Sequence, residues 1–233
     1  MFSLIFPGQG SQSIGMCKDL YLKFDLIKKI FKEADDILNF PITNLIFDGP
    51  KEKLDLTENT QPSIFLVGYS IFSLLKQEYN IDFDKINYFA GHSLGEYTAL
   101  AAAGHINFSD AIKILKIRGK AMQSSVKKGQ GGMIAVLGST TEDIEKYLIE
   151  NRVNYKCFIA NDNSVGQIVV SGMKEDLDKF SKDLKKKSIK NIPLAVSAPF
   201  HCELMNEATE IMKNEINNLK FNNSQKFIVS NVT

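Results

Sequence analysis

The sequence predicts an α/β fold, and three observations predict it. A strand-like apolar run (Ile86, Tyr88, Phe89, Ala90) passes through Gly91-His92-Ser93-Leu94-Gly95 into an Ala-rich helical run from Tyr97 to Ala103, the strand-turn-helix order of a G-x-S-x-G elbow. Helical segments with apolar stripes flank that elbow on both sides. From 127 to 196 the periodicity reads β-α-β-β-α-β, a split βαβ unit long enough to be a subdomain. The expected architecture is therefore a main α/β domain with a short parallel sheet, residues 1–126 and 197–233, interrupted by a ferredoxin-like subdomain over 127–196.

Taken in order, Ser3 to Phe6 follow Met1 as a short buried strand and run into Pro7-Gly8-Gln9-Gly10-Ser11-Gln12. A glycine-rich turn after a strand can aim backbone N–H groups at an anion, but Ser13 replaces the third glycine of a dinucleotide fingerprint. Leu26, Ile27, Ile30, Phe31, Ala34, Ile37 and Leu38 recur at helical spacing with charges on the other face, predicting an amphipathic helix. Leu45 to Leu56, broken by Asp48-Gly49-Pro50, reads as loop and short turns.

Thr57-Glu58-Asn59-Thr60-Gln61-Pro62 opens a helix through Leu75 that is apolar on most faces, which means burial between layers. After the elbow helix, Ser109 is a plausible N-cap for a helix leading to Arg118. The subdomain reads as strand Met133–Leu137, helix Thr141–Ile149 with a Thr-x-x-Asp/Glu cap, strands Lys156–Ala160 and Gln167–Ser171 around Asn161 to Gly166, helix Lys174–Lys187 and strand Lys190–Leu194. Asn206–Leu219 is a last helix and Lys226–Val232 a last strand. With no closing turn or helix after it, the chain is expected to be truncated at its C-terminus.

Composition narrows the function. At 44% hydrophobic residues and net charge +1, the chain lacks the basic footprint of a nucleic-acid binder. No run approaches the roughly 20 apolar residues of a bilayer span, and the N-terminus lacks a signal peptide's basic region and long apolar core. Cys17, Cys157 and Cys202 are odd in number and widely spaced, fitting neither a disulfide framework nor a metal pair. A reduced, cytoplasmic protein without metal or organic cofactor is expected.

The chemistry starts at Ser93, which the elbow would expose as a nucleophile. A serine hydroxyl needs a general base, usually histidine, and the chain has three. His92 is adjacent, and neighbouring side chains diverge at a tight elbow. His105 lies about three turns along the elbow helix. His201, in Ser197-Ala198-Pro199-Phe200-His201-Cys202, is what remains. A lone histidine at a helix start is more often structural, and elimination reverses that preference. Ser before His in chain order agrees with an α/β-hydrolase-like layout.

The Leu94 N–H, after the nucleophile, is one expected oxyanion donor, and the Gly8-Gln9-Gly10 turn is placed to supply another. Only Arg118 and Arg152 are arginines, and only arginine offers a planar fork to a carboxylate. Arg118 reads equally as a surface helix residue at this level.

Together, Pro7-Gly8-Gln9-Gly10-Ser11-Gln12, Gly91-His92-Ser93-Leu94-Gly95-Glu96-Tyr97, Arg118-Gly119-Lys120-Ala121-Met122-Gln123, Asn161-Asp162-Asn163-Ser164 with Gly166-Gln167, and Ala198-Pro199-Phe200-His201 resemble the malonyl-CoA:acyl-carrier-protein transacylases of fatty-acid synthesis, in order over the whole chain. The resemblance implies a ping-pong transfer of malonyl from malonyl-CoA, through a malonyl ester on Ser93, to the phosphopantetheine thiol of acyl carrier protein. It implies His201 as base, Gln9 and Leu94 as oxyanion-hole positions, and Arg118 as partner of the malonyl carboxylate. It also implies Met122, Asn161 and Phe200 in substrate binding; phenylalanine beside the histidine goes with malonyl over methylmalonyl in related domains.

Val165 departs from the family's usual proline or alanine. Family members continue past the position of Thr233, and the resemblance implies that this further part orients the histidine through a main-chain carbonyl. The protein is expected to act as a monomer, without nucleic-acid or membrane partners. Two readings compete: a serine esterase or thioesterase using Ser93 and His201 with water as acceptor, and a carrier-binding fragment made inactive by truncation.

Overall fold

A computed structural model of the chain describes residues 2–79, 81–127, 129–196 and 198–232; of the positions named above, Met1, Ser197 and Thr233 lie outside the described residues. The chain forms two compact units, one of residues 1–120 and 212–233 and one of residues 121–211.

The first unit opens with strand β1 (Phe2–Phe6), followed by helices α1 (Lys18–Lys23), α2 (Asp25–Leu38), α3 (Ile42–Asp48), α4 (Lys51–Leu54) and α5 (Thr57–Glu78). The stretch expected as loop from Leu45 to Leu56 is thus mostly two short helices. Asp48-Gly49-Pro50 does break the chain, but between helices. The sequence reading missed this because burial stabilises them: Leu45, Ile46 and Phe47 join Ile27, Phe31 and Phe65 in the core, and Asp35 Oδ1 accepts the Thr43 N–H at 2.9 Å, satisfying a donor at the start of α3. Packing outweighs a weak local pattern.

Strand β2 (Ile86–Gly91), helix α6 (Leu94–Ala102) and helix α7 (Phe108–Ser124) follow. The N-cap of α7 is Asn107, whose Oδ1 accepts the Asp110 N–H at 2.7 Å, two residues before the Ser109 expected. In the second unit come β3 (Gly131–Leu137), α8 (Thr141–Glu150), β4 (Cys157–Ser164), β5 (Gln167–Met173), α9 (Lys174–Lys186) and β6 (Lys190–Pro193). Thr140 caps α8, accepting the Asp143 N–H at 3.1 Å. These strands pair antiparallel in the order β4-β5-β3-β6, the ferredoxin-like split βαβ arrangement. Ile144, Leu148, Leu177, Phe180 and Leu184 of the two helices pack on Ile134, Val136, Ile168 and Val170 of the sheet.

This compact unit is wider than the 127–196 expected. Ala121, Met122 and Val126 share an apolar cluster with Val169, Ala198, Phe200, Met205 and Ala208, so both chain crossings belong to it. Strand β4 also runs on to Ser164, taking in Asn161 to Ser164 that read as a turn, because its backbone pairs with β5 through Asp162–Ile168 and Ser164–Gln167.

Helix α10 (Asn206–Asn217) and strand β7 (Phe227–Val229) complete the chain. The parallel sheet has the order β1-β2-β7. One face packs Phe6 and Phe89 with Phe72 of α5 and Ala99 of α6. The other presents Ile5, Tyr88, Phe227 and Val229 to solvent. No described helix is long and apolar enough to cross a membrane.

Candidate active site

The site in the first unit is built on the crossing from β2 to α6. Ser93 sits at φ 52°, ψ −107° between the strand and the first helical residue, Leu94, a left-handed backbone that costs a non-glycine residue about 1–3 kcal/mol. The flanking glycines permit it. A Cβ on Gly91 would overlap the Gly95 carbonyl, and one on Gly95 would lie 2.5 Å from the Phe6 carbonyl oxygen. Gly8 packs equally tightly, since a Cβ there would meet His92 Nδ1 at 2.6 Å and His92 O at 2.7 Å. The turn carrying Gln9 therefore lies against the elbow, with Gln9 Nε2 donating to Thr57 Oγ1 at 3.3 Å. The Leu94 N–H belongs to the first turn of α6, where donors have no partner within the helix.

Arg118 reaches the same point from α7. Its Nη2 donates to Ser93 Oγ at 3.1 Å and its Nη1 to Gln61 Oε1 at 2.8 Å, while its guanidinium carbon lies 5.6 Å from the centre of the Tyr97 ring. Close approach of α7 to α5 makes this reach possible: a Cβ on Gly119 would fall 2.5 Å from Thr57 O and 2.7 Å from the Glu58 Cα. Burial pulls the Arg118 pKa below its ordinary value, while Tyr97 and Glu96 push it back up; the side chain stays cationic at neutral pH, as arginine does. Burial raises the Tyr97 pKa. Arg118 is thus an inward-facing residue rather than a surface one.

Asn231, just beyond β7, closes the elbow from the other side. Its Oδ1 accepts the Ser93 N–H at 2.7 Å, its Nδ2 donates to Gly91 O at 2.7 Å, and its backbone N–H donates to Glu96 Oε2 at 3.2 Å. His105 faces elsewhere, its Nε2 2.9 Å from Lys226 O.

The remaining expected residues lie in the second unit. His201 has φ 57° in a turn held at several points. The buried Ser171 hydroxyl donates to Phe200 O at 2.5 Å, and Cys202 Sγ lies 3.2 Å from Pro199 O. Pro199 packs so tightly on Gly131 that a Cβ there would overlap the proline ring. Phe200 and Met122 are buried in one cluster, and Asn161 stands on β4 opposite Val169 of that same cluster.

The structure thus gathers Ser93, Leu94, Arg118 and the Gln9 turn in one unit, and Met122, Phe200 and the His201 turn in the other. Gln61, Asn231 and Ser171 were not singled out from sequence, and Tyr97 appeared without a role. Gln61 left no distinguishing trace, standing among the polar residues Thr57 to Thr60 and Ser63 that open α5; it is nevertheless 1% exposed.

An α/β unit with a serine at such an elbow and a cation on its hydroxyl has the form of an acyltransferase, and residues 3–232 match the family described as the acyl transferase domain. Malonyl CoA-acyl carrier protein transacylases from Haemophilus influenzae and Bacillus subtilis are 37% and 39% identical, each over 99% of this chain and over 74% and 72% of their own lengths. The crystal structure of an acyl-carrier-protein-S-malonyltransferase from Bartonella henselae superposes with TM-score 0.93 at 38% identity, over 100% of this chain and 74% of that one. A malonyl-transacylase in complex with its type II PKS acyl-carrier protein gives 0.92 at 36%, over 99% and 74%. The chain belongs to the malonyl CoA-acyl carrier protein transacylase family.

Proposed function

We propose that this chain moves a malonyl group from malonyl-CoA to the phosphopantetheine thiol of acyl carrier protein, with Ser93 as nucleophile. In the first half-reaction Ser93 Oγ attacks the thioester carbonyl as His201 takes its proton. The tetrahedral oxyanion is held by the Leu94 and Gln9 N–H groups, each such donor being worth roughly 10²–10³ in rate. The thioester C–S bond then breaks, His201 returns the proton to the departing coenzyme A sulfur, and malonyl remains as an ester on Ser93. The second half-reaction reverses these steps with the carrier thiol as attacker and Ser93 as leaving group.

The observation that carries this reading is the Arg118 guanidinium, anchored by Gln61 and in contact with Ser93 Oγ. A cation fixed beside the acylated oxygen suits an acyl group with its own carboxylate, because two charge-assisted hydrogen bonds of the fork fit it. Phe200, Met122 and Asn161 are assigned to the acyl pocket in the same reading. All three cysteines are free thiols, in keeping with action in the reducing cytoplasm, where the protein works as a monomer on its carrier. The named relatives favour transfer over hydrolysis or inert carrier binding.

The test is an intact-mass spectrum after brief exposure to malonyl-CoA, followed by addition of holo carrier protein. One malonyl adduct, missing in Ser93→Ala and discharged onto the carrier, is the expected result. An adduct that survives Ser93→Ala, or that water removes as fast as the carrier does, overturns the assignment.

A further inference from the structure

A serine at φ 52° is held there by its surroundings or not at all. The glycines around the elbow make room for this backbone, but room alone does not select it. The Asn231 side chain bonds both ends of the strained step, accepting from the Ser93 N–H and donating to the Gly91 carbonyl at 2.7 Å each. Those two bonds fix which way the amide points, since only its oxygen can accept and only its nitrogen can donate. The Asn231 backbone is tied in turn to the first turn of α6 through Glu96, and β7 pairs in parallel with β2 immediately before it.

We propose that Asn231 is the positioning residue of the nucleophile: it clamps Gly91 to Ser93 across the elbow and thereby aims Ser93 Oγ. The proposal rests on the reading of Ser93 as nucleophile. It requires a side chain that donates and accepts at once. Alanine does neither, and an ionised aspartate accepts from Ser93 but faces the Gly91 carbonyl with a second acceptor. A protonated aspartic acid restores both roles. The Glu96 carboxylate nearby favours that protonated form by like-charge repulsion.

The test measures the rate of Ser93 malonylation by intact mass in the full chain and in its Asn231→Ala, Asn231→Asp and Ser93→Ala variants, from pH 5.5 to 8. Thermal unfolding of each variant gives its folded fraction. Asn231→Ala is expected to acylate roughly 10²-fold more slowly, the cost of a misplaced reacting group, with little change in the malonyl-CoA concentration giving half the maximal rate, because Arg118 and Gln61 are untouched. The rate of Asn231→Asp relative to the unmodified chain should climb as pH falls, a signature that a merely structural role would not produce.

Wild-type rates in folded Asn231→Ala, or an Asn231→Asp ratio flat across that range, overturn the proposal. If the unmodified chain takes up no malonyl, or Ser93→Ala takes it up equally, the nucleophile reading fails instead. The clamp is then judged by sulfonylation of Ser93 with phenylmethanesulfonyl fluoride: the same roughly 10²-fold loss in Asn231→Ala supports it, and equal rates overturn it.

Discussion

The Arg118 guanidinium is shared between Ser93 and Gln61, with one terminal nitrogen 3.1 Å from Ser93 Oγ and the other 2.8 Å from Gln61 Oε1. The three side chains come from the elbow between β2 and α6, from α5 and from α7, and the fork is held before any substrate arrives. A group fixed in advance loses little freedom on binding, which is how a preorganised site gains affinity.

Removing the fork should therefore change selectivity more than reactivity. In Arg118→Ala, acylation by malonyl-CoA is expected to fall roughly 10²-fold, the scale of one or two charge-assisted hydrogen bonds, while acylation by acetyl-CoA changes little. Lysine should recover only part of the malonyl rate, since it cannot present two parallel donors. Competition between the two thioesters, read by the masses of the adducts, checks this.

Gln61 is expected to act on binding. Its loss in Gln61→Ala frees one guanidinium nitrogen and should raise the malonyl-CoA concentration for half-maximal acylation about 10- to 150-fold, the worth of one hydrogen bond to a charged group. Titration of the acylation rate measures it.

The elbow glycines should tolerate no side chain. Gly95→Ala would press a Cβ against the Phe6 carbonyl oxygen, and overpacking of this kind typically costs about 1–3 kcal/mol or more. A lowered urea midpoint with an unchanged slope is the expected result.

Ser171→Ala tests the His201 turn through its scaffold. The substitution strips the buried Phe200 carbonyl of its 2.5 Å donor and should cost about 1–3 kcal/mol. Urea unfolding reports the loss as a lowered midpoint.

The cysteines give a prediction at alkaline pH. Burial raises the Cys17 thiol to about 11, so the folded state keeps a proton that the unfolded chain releases first. Below the unfolded thiol pKa, roughly 8.5, the protonated Cys17 contributes its full share of stability. That share is lost as pH rises through the folded value, because the unfolded state then binds fewer protons. Urea midpoints at pH 7, 9 and 10.5 should fall along this series, and less steeply in Cys17→Ala.

By itself the sequence determined whatever depends on near neighbours along the chain. The G-x-S-x-G elbow, the Thr140 cap of α8 and the β-α-β-β-α-β order were legible because a turn, a cap and a strand period are set by residues within a few positions of one another. His201 was reached by elimination, Arg118 by rarity and resemblance. The helices α3 and α4 were not legible, since what holds them is burial against α2 and α5.

Only the tertiary structure decided what surrounds the nucleophile. Gln61 lies 57 residues from Arg118, Arg118 lies 25 from Ser93, and Asn231 lies 138 from Ser93. Ser171 likewise meets Phe200 across 29 residues. No local pattern encodes such pairs: a polar side chain in a helix or after a strand reads the same whether it meets water or a partner. The fold brings the partner, and the cost of leaving a buried polar group unmet then makes the pairing matter.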